Sequence, residues 1–197
     1  MGAVSLTNDW PLATGPLTVA DLERTPDDGR KYELVDGVLT VSPAPLIPHQ
    51  VVVHELAVVL NAALPDDLAI VPGPGLRMSE ITELIPDLVV VRREELAGPR
   101  LTAPPLLAVE VRSHSTALFD MNTKKAVYQR FGIPSYWVVV PDREKPAVIV
   151  FELSRGSYEQ VAHVTGDDVF QAKRPIPVSI VPSQLVSRLP PATPEAT

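Results

Sequence analysis

The sequence contains no cysteine, so neither a disulfide framework nor a thiolate metal site can exist in it. It also has no apolar run that approaches the length of a membrane span. The first residues lack the basic and then apolar pattern of a signal peptide. These absences predict a soluble, cytoplasmic protein, because a reducing compartment is compatible with all of them.

An excess of positive charge is absent as well. The chain has 17 Lys and Arg against 24 Asp and Glu, which gives a net charge of −7 and a pI near 5.1. Nucleic-acid-binding proteins usually carry a basic face, so this balance counts against a nuclease. Seven basic residues nevertheless lie close enough in sequence to form a local basic rim: Arg92, Arg93, Arg100, Arg112, Lys124, Lys125 and Arg130.

Several common catalytic motifs are missing. There is no P-loop and no Gly-x-Ser-x-Gly elbow, and His49 and His54 are five residues apart instead of the four that a zinc-binding helix requires. Both histidines are interpreted as surface or packing residues, although His49 at a helix start could approach a phosphate. Tyr128, Tyr136 and Trp137 are interpreted as packing aromatics.

The chain does contain enough apolar material for a core. With 197 residues, 45% of them hydrophobic, it fits one domain. Residues 1–16 show no sustained periodicity and are predicted to be a flexible N-terminal arm, and the Pro-rich residues 188–197 are predicted to be a disordered tail. The single folded domain is therefore predicted to span residues 17–187.

The pattern within this domain is rich in strands. Asp36-Gly37 is the pair that a type I′ hairpin requires, and Pro48 suits the first turn of a helix that continues to about residue 63. Strands are predicted at residues 31–35, 38–42, 68–71, 76–79, 85–91, 106–111, 135–140, 147–153, 157–164 and 176–180, with short helices near 18–22 and 182–187.

The rest of the chain is organised around one apolar strand that carries a carboxylate, Glu110. A buried carboxylate almost never lacks a partner, so Glu110 requires a cation. A Ser-rich turn follows, and then a helix predicted over about residues 116–131, with Gly132 as its C-terminal stop. On that helix, Asp120, Lys124 and Tyr128 form a stripe at i, i+4 and i+8 that leads back toward the strand.

Asp87 is the second acid placed in an apolar strand. Two carboxylates that converge from neighbouring strands make an oxygen site suited to Mg²⁺ or Mn²⁺, and such a metal activates water. Lys124 could place an ammonium against the negative charge that develops on a phosphate. Glu33 is a candidate third acid, although beside Lys31 it could be no more than hairpin surface.

Structural roles compete with these assignments. Asp87 could simply form a turn after a proline. Asp120 and Lys124 could be a surface ion pair, worth roughly 0.3–0.5 kcal/mol. Glu110 could form a buried ion pair with one of the nearby cations, Arg112, Lys124 or Lys125.

Six segments are informative together: YELVDG at 32–37, the His49-Gln50 helix start, PDLVVV at 86–91, VEVRSHST at 109–116, D-x-x-x-K-x-x-x-Y at 120–128 and GIPSYWVV at 132–139. In this order and spacing they resemble the Uma-type putative restriction endonucleases, a branch of the PD-(D/E)XK nuclease superfamily. The resemblance covers about residues 18–165. Ser135 and Val140 depart from the family pattern, both outside the proposed metal site.

The resemblance implies a restriction-endonuclease-like α/β (α+β) fold, in which a mixed central sheet is flanked by helices and accompanied by antiparallel hairpins. Asp87 matches the superfamily's first sheet carboxylate and Glu110 the second. Arg112 stands where a Lys usually follows, and it cannot act as a base because it stays charged. Lys124 matches the family's Lys on the helix, and Glu33 lies in the family's Y-E-L-x-D-G segment.

The expected function is therefore hydrolysis of DNA phosphodiester bonds by a Mg²⁺-dependent endonuclease, with Mn²⁺ as a second usable metal. The expected catalytic residues are Glu33, Asp87, Glu110 and Lys124, and the expected metal ligands are Asp87 and Glu110. A homodimer is expected because cutting two strands favours two sites. Two other functions fit the acidic composition: a non-catalytic binding or assembly module, and a hydrolase of a smaller phosphate ester.

Overall fold

Strands form most of the computed structural model, which describes residues 15–112 and 119–190. In chain order they are β1 (Lys31–Val35), β2 (Val38–Ser42), β3 (Leu68–Pro72), β4 (Leu76–Ser79), β5 (Thr82–Leu84), β6 (Leu88–Arg92), β7 (Leu107–Val111), β8 (Ser135–Val140), β9 (Ala147–Ser154), β10 (Ser157–Thr165), β11 (Phe170–Ala172) and β12 (Val178–Ile180). The α-helices are α1 (Val19–Leu22), α2 (Ile47–Asn61), α3 (Lys125–Phe131) and α4 (Pro182–Leu185). This mixed α+β composition confirms the predicted fold class.

The strands form a central sheet and two smaller ones. The central sheet has six strands in the order β10-β9-β8-β7-β6-β3, and its neighbours are antiparallel except for β7 and β8, which are parallel. A four-stranded sheet has the order β2-β1-β5-β4, and β11 pairs with β12. Asp36 and Gly37 between β1 and β2 have φ of 49° and 82°, as the predicted type I′ turn requires.

The inner strands of the central sheet, β6 to β9, are buried on both faces over most of their length, which explains their continuous apolar runs. Leu88 of β6 packs on one face with Leu56 of α2. Val89, the next residue, packs on the other face with Val127 of α3. The two helices therefore cover opposite faces of the central sheet. Because successive side chains of a strand point to opposite faces, alternate residues of β6 and β7 face α2 and α3.

The helix predicted over residues 116–131 is not a continuous α-helix. In the described part, Phe119–Lys124 is π-helical and only Lys125–Phe131 is α-helical. Residues 113–118, which include the predicted start, lie outside the described residues. The predicted end is confirmed, because Gly132 has φ of 84° and takes the left-handed conformation that ends many helices.

Three strands also differ from the prediction. The strand expected from Ile85 begins at Leu88, because Pro86 has no N–H to donate to a sheet. The pattern missed β5, whose Thr82-Glu83-Leu84 sequence places two polar side chains in a buried strand, and it missed the short strand β11.

The ends of the chain are described only in part. Residues 1–14 of the predicted arm and 191–197 of the predicted tail lie outside the described residues. Leu189 is 7% exposed and packs in the core beside α4, so the packed chain continues past the predicted boundary at residue 187. None of the helices in the described ranges combines the length and the apolar composition needed to cross a membrane.

Candidate active site

Glu110 lies in the middle of the central sheet, on β7, and only 2% of it is exposed. Its Oε1 accepts a hydrogen bond from the Lys124 ammonium at 3.0 Å and another from the Tyr128 hydroxyl at 2.6 Å. Lys124 and Tyr128 are one helical turn apart, so the predicted stripe does face the strand. The side chain of Asp120, its third member, lies outside the described residues. The surface-pair interpretation of Lys124 is wrong, because only 4% of this residue is exposed.

Glu33 reaches the same ammonium from β1. Its Oε1 lies 2.9 Å from Lys124 Nζ and accepts the backbone N–H of Ile85 at 2.7 Å. Glu33 is 3% exposed, so the alternative of a plain hairpin surface is wrong. Lys124 must be charged in this arrangement, because a neutral amine would leave two buried carboxylates facing each other without a counter-charge.

Asp87 lies directly before β6 and is 7% exposed. Its Oδ2 accepts the backbone N–H of Val111 at 2.9 Å and lies 3.0 Å from His49 Nε2, while its Oδ1 lies 2.7 Å from Lys31 Nζ. Burial alone would raise the pKa of this carboxyl, but the hydrogen bond from His49 and the charge of Lys31 outweigh it. The pKa of Asp87 is therefore held well below its usual range.

The two sheet carboxylates belong to one cluster. The Val111 N–H that binds Asp87 comes directly after Glu110 in β7. Lys31 and Glu33 are two residues apart on β1, so they share one face of that strand. From that face Lys31 contacts Asp87, and Glu33 contacts the ammonium that binds Glu110. The structure thus joins Glu33, Glu110 and Lys124 by direct contacts, and it links Asp87 to them through Lys31 and the Val111 N–H.

Tyr128 belongs to the predicted stripe, and its contribution to this cluster goes beyond the packing role expected of it. Burial, together with the negative charges of Glu110 and Glu33, raises the pKa of its phenol well above the usual range. The hydroxyl therefore stays protonated and acts as a permanent donor to Glu110. The ring packs edge-on against Tyr136 at 5.3 Å, so the predicted packing role is also present.

Lys31 and His49 are the other two residues that sequence reasoning missed. His49 was expected at the surface or in packing, yet its side chain is 15% exposed and binds Asp87. Two signals could have found them. Lys31 shares the face of β1 that carries Glu33, and His49 lies at the start of a helix that packs on the sheet.

The predicted basic rim is largely occupied by internal partners. Arg100 binds Glu83, and Arg130 binds Asp36 at 2.7 Å. Lys125 lies over the ring of Phe151, 3.9 Å from its centroid. Arg93 donates to the carbonyl of Leu68, and Arg112, which follows β7, is half-buried. The rim therefore offers less free positive charge than its sequence suggests.

The donor set of the cluster suits Mg²⁺. Nowhere among the described residues do three or more His, Asp or Glu side chains form a metal cage. Mg²⁺ does not need one, because it usually keeps several waters and binds through one or two carboxylates. His49 offers an independent observation: Nε2 faces a carboxylate and must carry the proton, while Nδ1 is buried and has no hydrogen-bond partner within the described ranges. An ordered water, such as a hydrated ion brings, would satisfy this atom.

Comparison with known proteins places the chain in a family. Its sequence matches the Uma2 family, described as putative restriction endonuclease, over residues 19–185. Its fold is similar to the crystal structure of a putative nuclease belonging to DUF820 from Anabaena variabilis, with a TM-score of 0.68, 16% sequence identity, and coverage of 87% of this chain and 98% of that chain. No curated protein matches the sequence. Since the family match spans most of its length, this chain belongs to the Uma2 family of putative restriction endonucleases.

Proposed function

We propose that this protein is an endonuclease that hydrolyses the phosphodiester bonds of DNA with Mg²⁺ held by Asp87 and Glu110. One observation carries the proposal: two buried carboxylates lie on neighbouring chain segments at the end of β7, where Asp87 binds the N–H of Val111 and Glu110 binds a buried ammonium. Membership of a family of restriction endonucleases supports the same class of reaction.

The metal would supply the chemistry that side chains cannot. Held by Asp87 and Glu110, Mg²⁺ would supply positive charge against a phosphoryl oxygen and a more acidic coordinated water, and Mn²⁺ would substitute because it prefers the same oxygen ligands. Asp87 is ready to bind such an ion at neutral pH, because its lowered pKa keeps it ionised. The side chain of Lys31 is 24% exposed and could leave Asp87 when a divalent ion replaces its charge.

Lys124 acts in this proposal through its charge. A protonated ammonium cannot accept a proton, so Lys124 stabilises the negative charge that develops on the phosphate rather than activating water. Glu33 holds the ammonium in position, 2.9 Å away. Tyr128 holds Glu110, and His49 together with the Val111 N–H holds Asp87, so both carboxylates are oriented before substrate binds.

The test is cleavage of supercoiled plasmid by the full chain in Mg²⁺, in Mn²⁺ and in EDTA. We expect cleavage only with metal, and a loss of about 10²- to 10⁴-fold in Asp87→Asn and in Lys124→Ala. The matched controls are Asp66→Asn and Lys145→Ala, which change the same residue types at exposed positions. Equal cleavage by wild type, Asp87→Asn and Lys124→Ala would contradict the proposal.

Calorimetry tests the metal separately from the chemistry. We expect Mg²⁺ to bind the wild type and the Asp66→Asn control with measurable heat, and to bind Asp87→Asn much more weakly. A correctly folded wild type without any Mg²⁺ or Mn²⁺ heat would favour a non-catalytic binding or assembly module on the same scaffold.

A second candidate is a hydrolase of a smaller phosphate ester. The observation that favours it is the internal pairing of Arg100 and Arg130, which leaves less positive surface for a long polyanion. Bis-p-nitrophenyl phosphate distinguishes the two, because hydrolysis of this ester without cleavage of any DNA would select the second candidate.

A homodimer, expected if both strands of a duplex are cut, is checked by sedimentation.

A further inference from the structure

The connection between β2 and α2 presents an apolar tip, by which we mean Leu46 and Ile47. Their exposed fractions, 76% and 81%, are the highest of the large hydrophobic residues in the described part of the chain. A single exposed apolar residue is ordinary, but two adjacent ones at such exposure mark a surface that another molecule could cover.

The tip is rigid. Pro43 and Pro45 precede it and Pro48 follows it, and each proline fixes its own φ near −65°. Ile47 is also the first residue of α2, a helix anchored in the core through Leu56 and Leu60. A stiff apolar projection loses little conformational freedom when a partner covers it, so it is suited to binding.

The tip is close to the candidate active site along α2. His49 follows Ile47 by two residues and its Nε2 lies 3.0 Å from Asp87 Oδ2. Two residues rise only about 3 Å along a helix, so a ligand as large as a DNA duplex that is held at Asp87 also passes close to the tip.

The segment that carries the tip has no negative charge of its own. The chain has 24 Asp and Glu in 197 residues, yet none occurs between Gly37 and His54. The carboxylate that His49 contacts, Asp87, is also paired with Lys31. The first turn of α2 contains no acid, so the positive end of the helix dipole favours an anionic partner, such as a nucleic acid, over a cationic one.

We infer that Leu46 and Ile47 insert between neighbouring bases of duplex DNA next to the bond that is cut, and so unstack one base step. The inference rests on the proposed function and adds how the substrate is held. The faces of the bases are the large apolar surfaces of DNA, and Leu and Ile wedges that unstack a step are an established way to reach them. A wedge also explains how a chain with little free basic surface holds DNA, because part of the affinity is then apolar.

The test uses duplex oligonucleotides in which 2-aminopurine occupies successive positions, with the full chain in EDTA so that no cleavage occurs. We expect the wild type to brighten the 2-aminopurine at some positions as the step unstacks. Leu46→Ser/Ile47→Ser should lose this brightening and bind the duplex about 10- to 100-fold more weakly by anisotropy. Both residues are exposed, so the double variant should fold, which circular dichroism and an unchanged heat of Mg²⁺ binding would confirm.

The control is Val161→Ser, since Val161 is half-exposed on β10, four strands away from β6 in the central sheet. This control should match the wild type in both readouts. Wild-type binding without brightening, equal behaviour of the double variant, or an absence of DNA binding would overturn the inference. A further outcome would overturn the inference: light scattering could show that the double variant loses self-association while its DNA binding is unchanged. The tip would then contact a second copy of the chain. Brightening without cleavage in Mg²⁺ would instead keep the wedge and reject the proposed function.

Discussion

Two buried glutamates in this protein are paired with cations in different ways. Glu83 on β5 is 4% exposed and receives Arg77 Nε on Oε2 at 2.7 Å and Arg100 Nε on Oε1 at 2.8 Å. Glu110 on β7 is 2% exposed and receives an ammonium and a phenol, both on Oε1. The two sites have similar burial, so burial alone does not distinguish a structural acid from a candidate catalytic one.

The partners make the difference. Arginine is planar and always charged, so two guanidinium groups hold both oxygens of Glu83 in a fixed geometry, and Arg77 also binds Glu23 at 2.9 Å. A lysine is a compact charge on a flexible stem, and it can move as a metal or a phosphate arrives. The arginine pairs of Glu83 are therefore suited to holding the four-stranded sheet together, and the lysine pair of Glu110 to chemistry.

The strongest way to break this comparison is to neutralise each acid and measure DNA cleavage. We expect Glu110→Gln to lower the rate about 10³-fold, because a proposed metal ligand is lost, and Glu83→Gln to stay within about tenfold of wild type. The assay must be run at a temperature where circular dichroism shows both variants folded. Equal losses would mean that the two clusters do not differ in role.

Stability should show the opposite order. Glu83→Gln leaves two arginines with only the half-exposed Glu23 as counter-charge, and we expect the free energy of unfolding to fall by about 2–4 kcal/mol. Glu110→Gln should lower it less, because Glu33 still pairs with Lys124. Urea denaturation measures both, with Glu80→Gln as an exposed control. A larger loss for Glu110→Gln than for Glu83→Gln would contradict this explanation.

The lowered pKa of Asp87 predicts how stability responds to acid. A carboxyl whose pKa is lower in the folded state stabilises the fold above its unfolded pKa, near 4, and loses this contribution as the pH falls through the folded pKa. We expect the wild type to lose on the order of 2 kcal/mol more than Asp87→Asn when the pH falls from about 6 toward about 2. Parallel pH profiles of the two proteins, measured by urea denaturation, would show that the charge of Asp87 is not favoured by the fold.

Two buried tyrosines extend the comparison, with smaller expected effects on stability and on the cleavage rate. Tyr128 donates to Glu110, and Tyr158 donates to the carbonyl of Ile133 at 2.8 Å. We expect Tyr128→Phe and Tyr158→Phe each to lower the free energy of unfolding by about 1–2 kcal/mol, because each removes one buried hydrogen bond. Only Tyr128→Phe should also slow DNA cleavage, by about tenfold, since it releases Glu110. Equal activity of the two variants would remove Tyr128 from the site.

The smallest effect is expected where the ion pair is exposed. Arg130 and Asp36 are 2.7 Å apart, but their side chains are 60% and 53% exposed. We expect Arg130→Ala to change the free energy of unfolding by less than about 0.5 kcal/mol, because water screens this pair. A loss comparable to that of Glu83→Gln would show that distance matters more than burial in this protein.

Those parts of the structure that depend on neighbouring residues follow from the sequence. The Asp36-Gly37 turn and the helix stop at Gly132 were predicted because each is a backbone conformation that one or two residue types favour. The contact of Glu110 with Lys124 could also be predicted from the sequence. A strand that is followed at once by a helix packed on it brings residues 14 positions apart into contact.

The environment of Asp87 and Glu83 was decided by the tertiary structure. Lys31 reaches Asp87 across 56 positions and His49 across 38, and Arg100 reaches Glu83 across 17. These contacts exist because the four-stranded sheet and α2 pack against the end of the central sheet, and no local pattern encodes where a packed element places its side chains. Residue types and periodicity therefore sufficed for most of the strands and for Asp87 and Glu110. The partner of each acid, and with it the difference between a structural ion pair and a candidate catalytic one, came from packing.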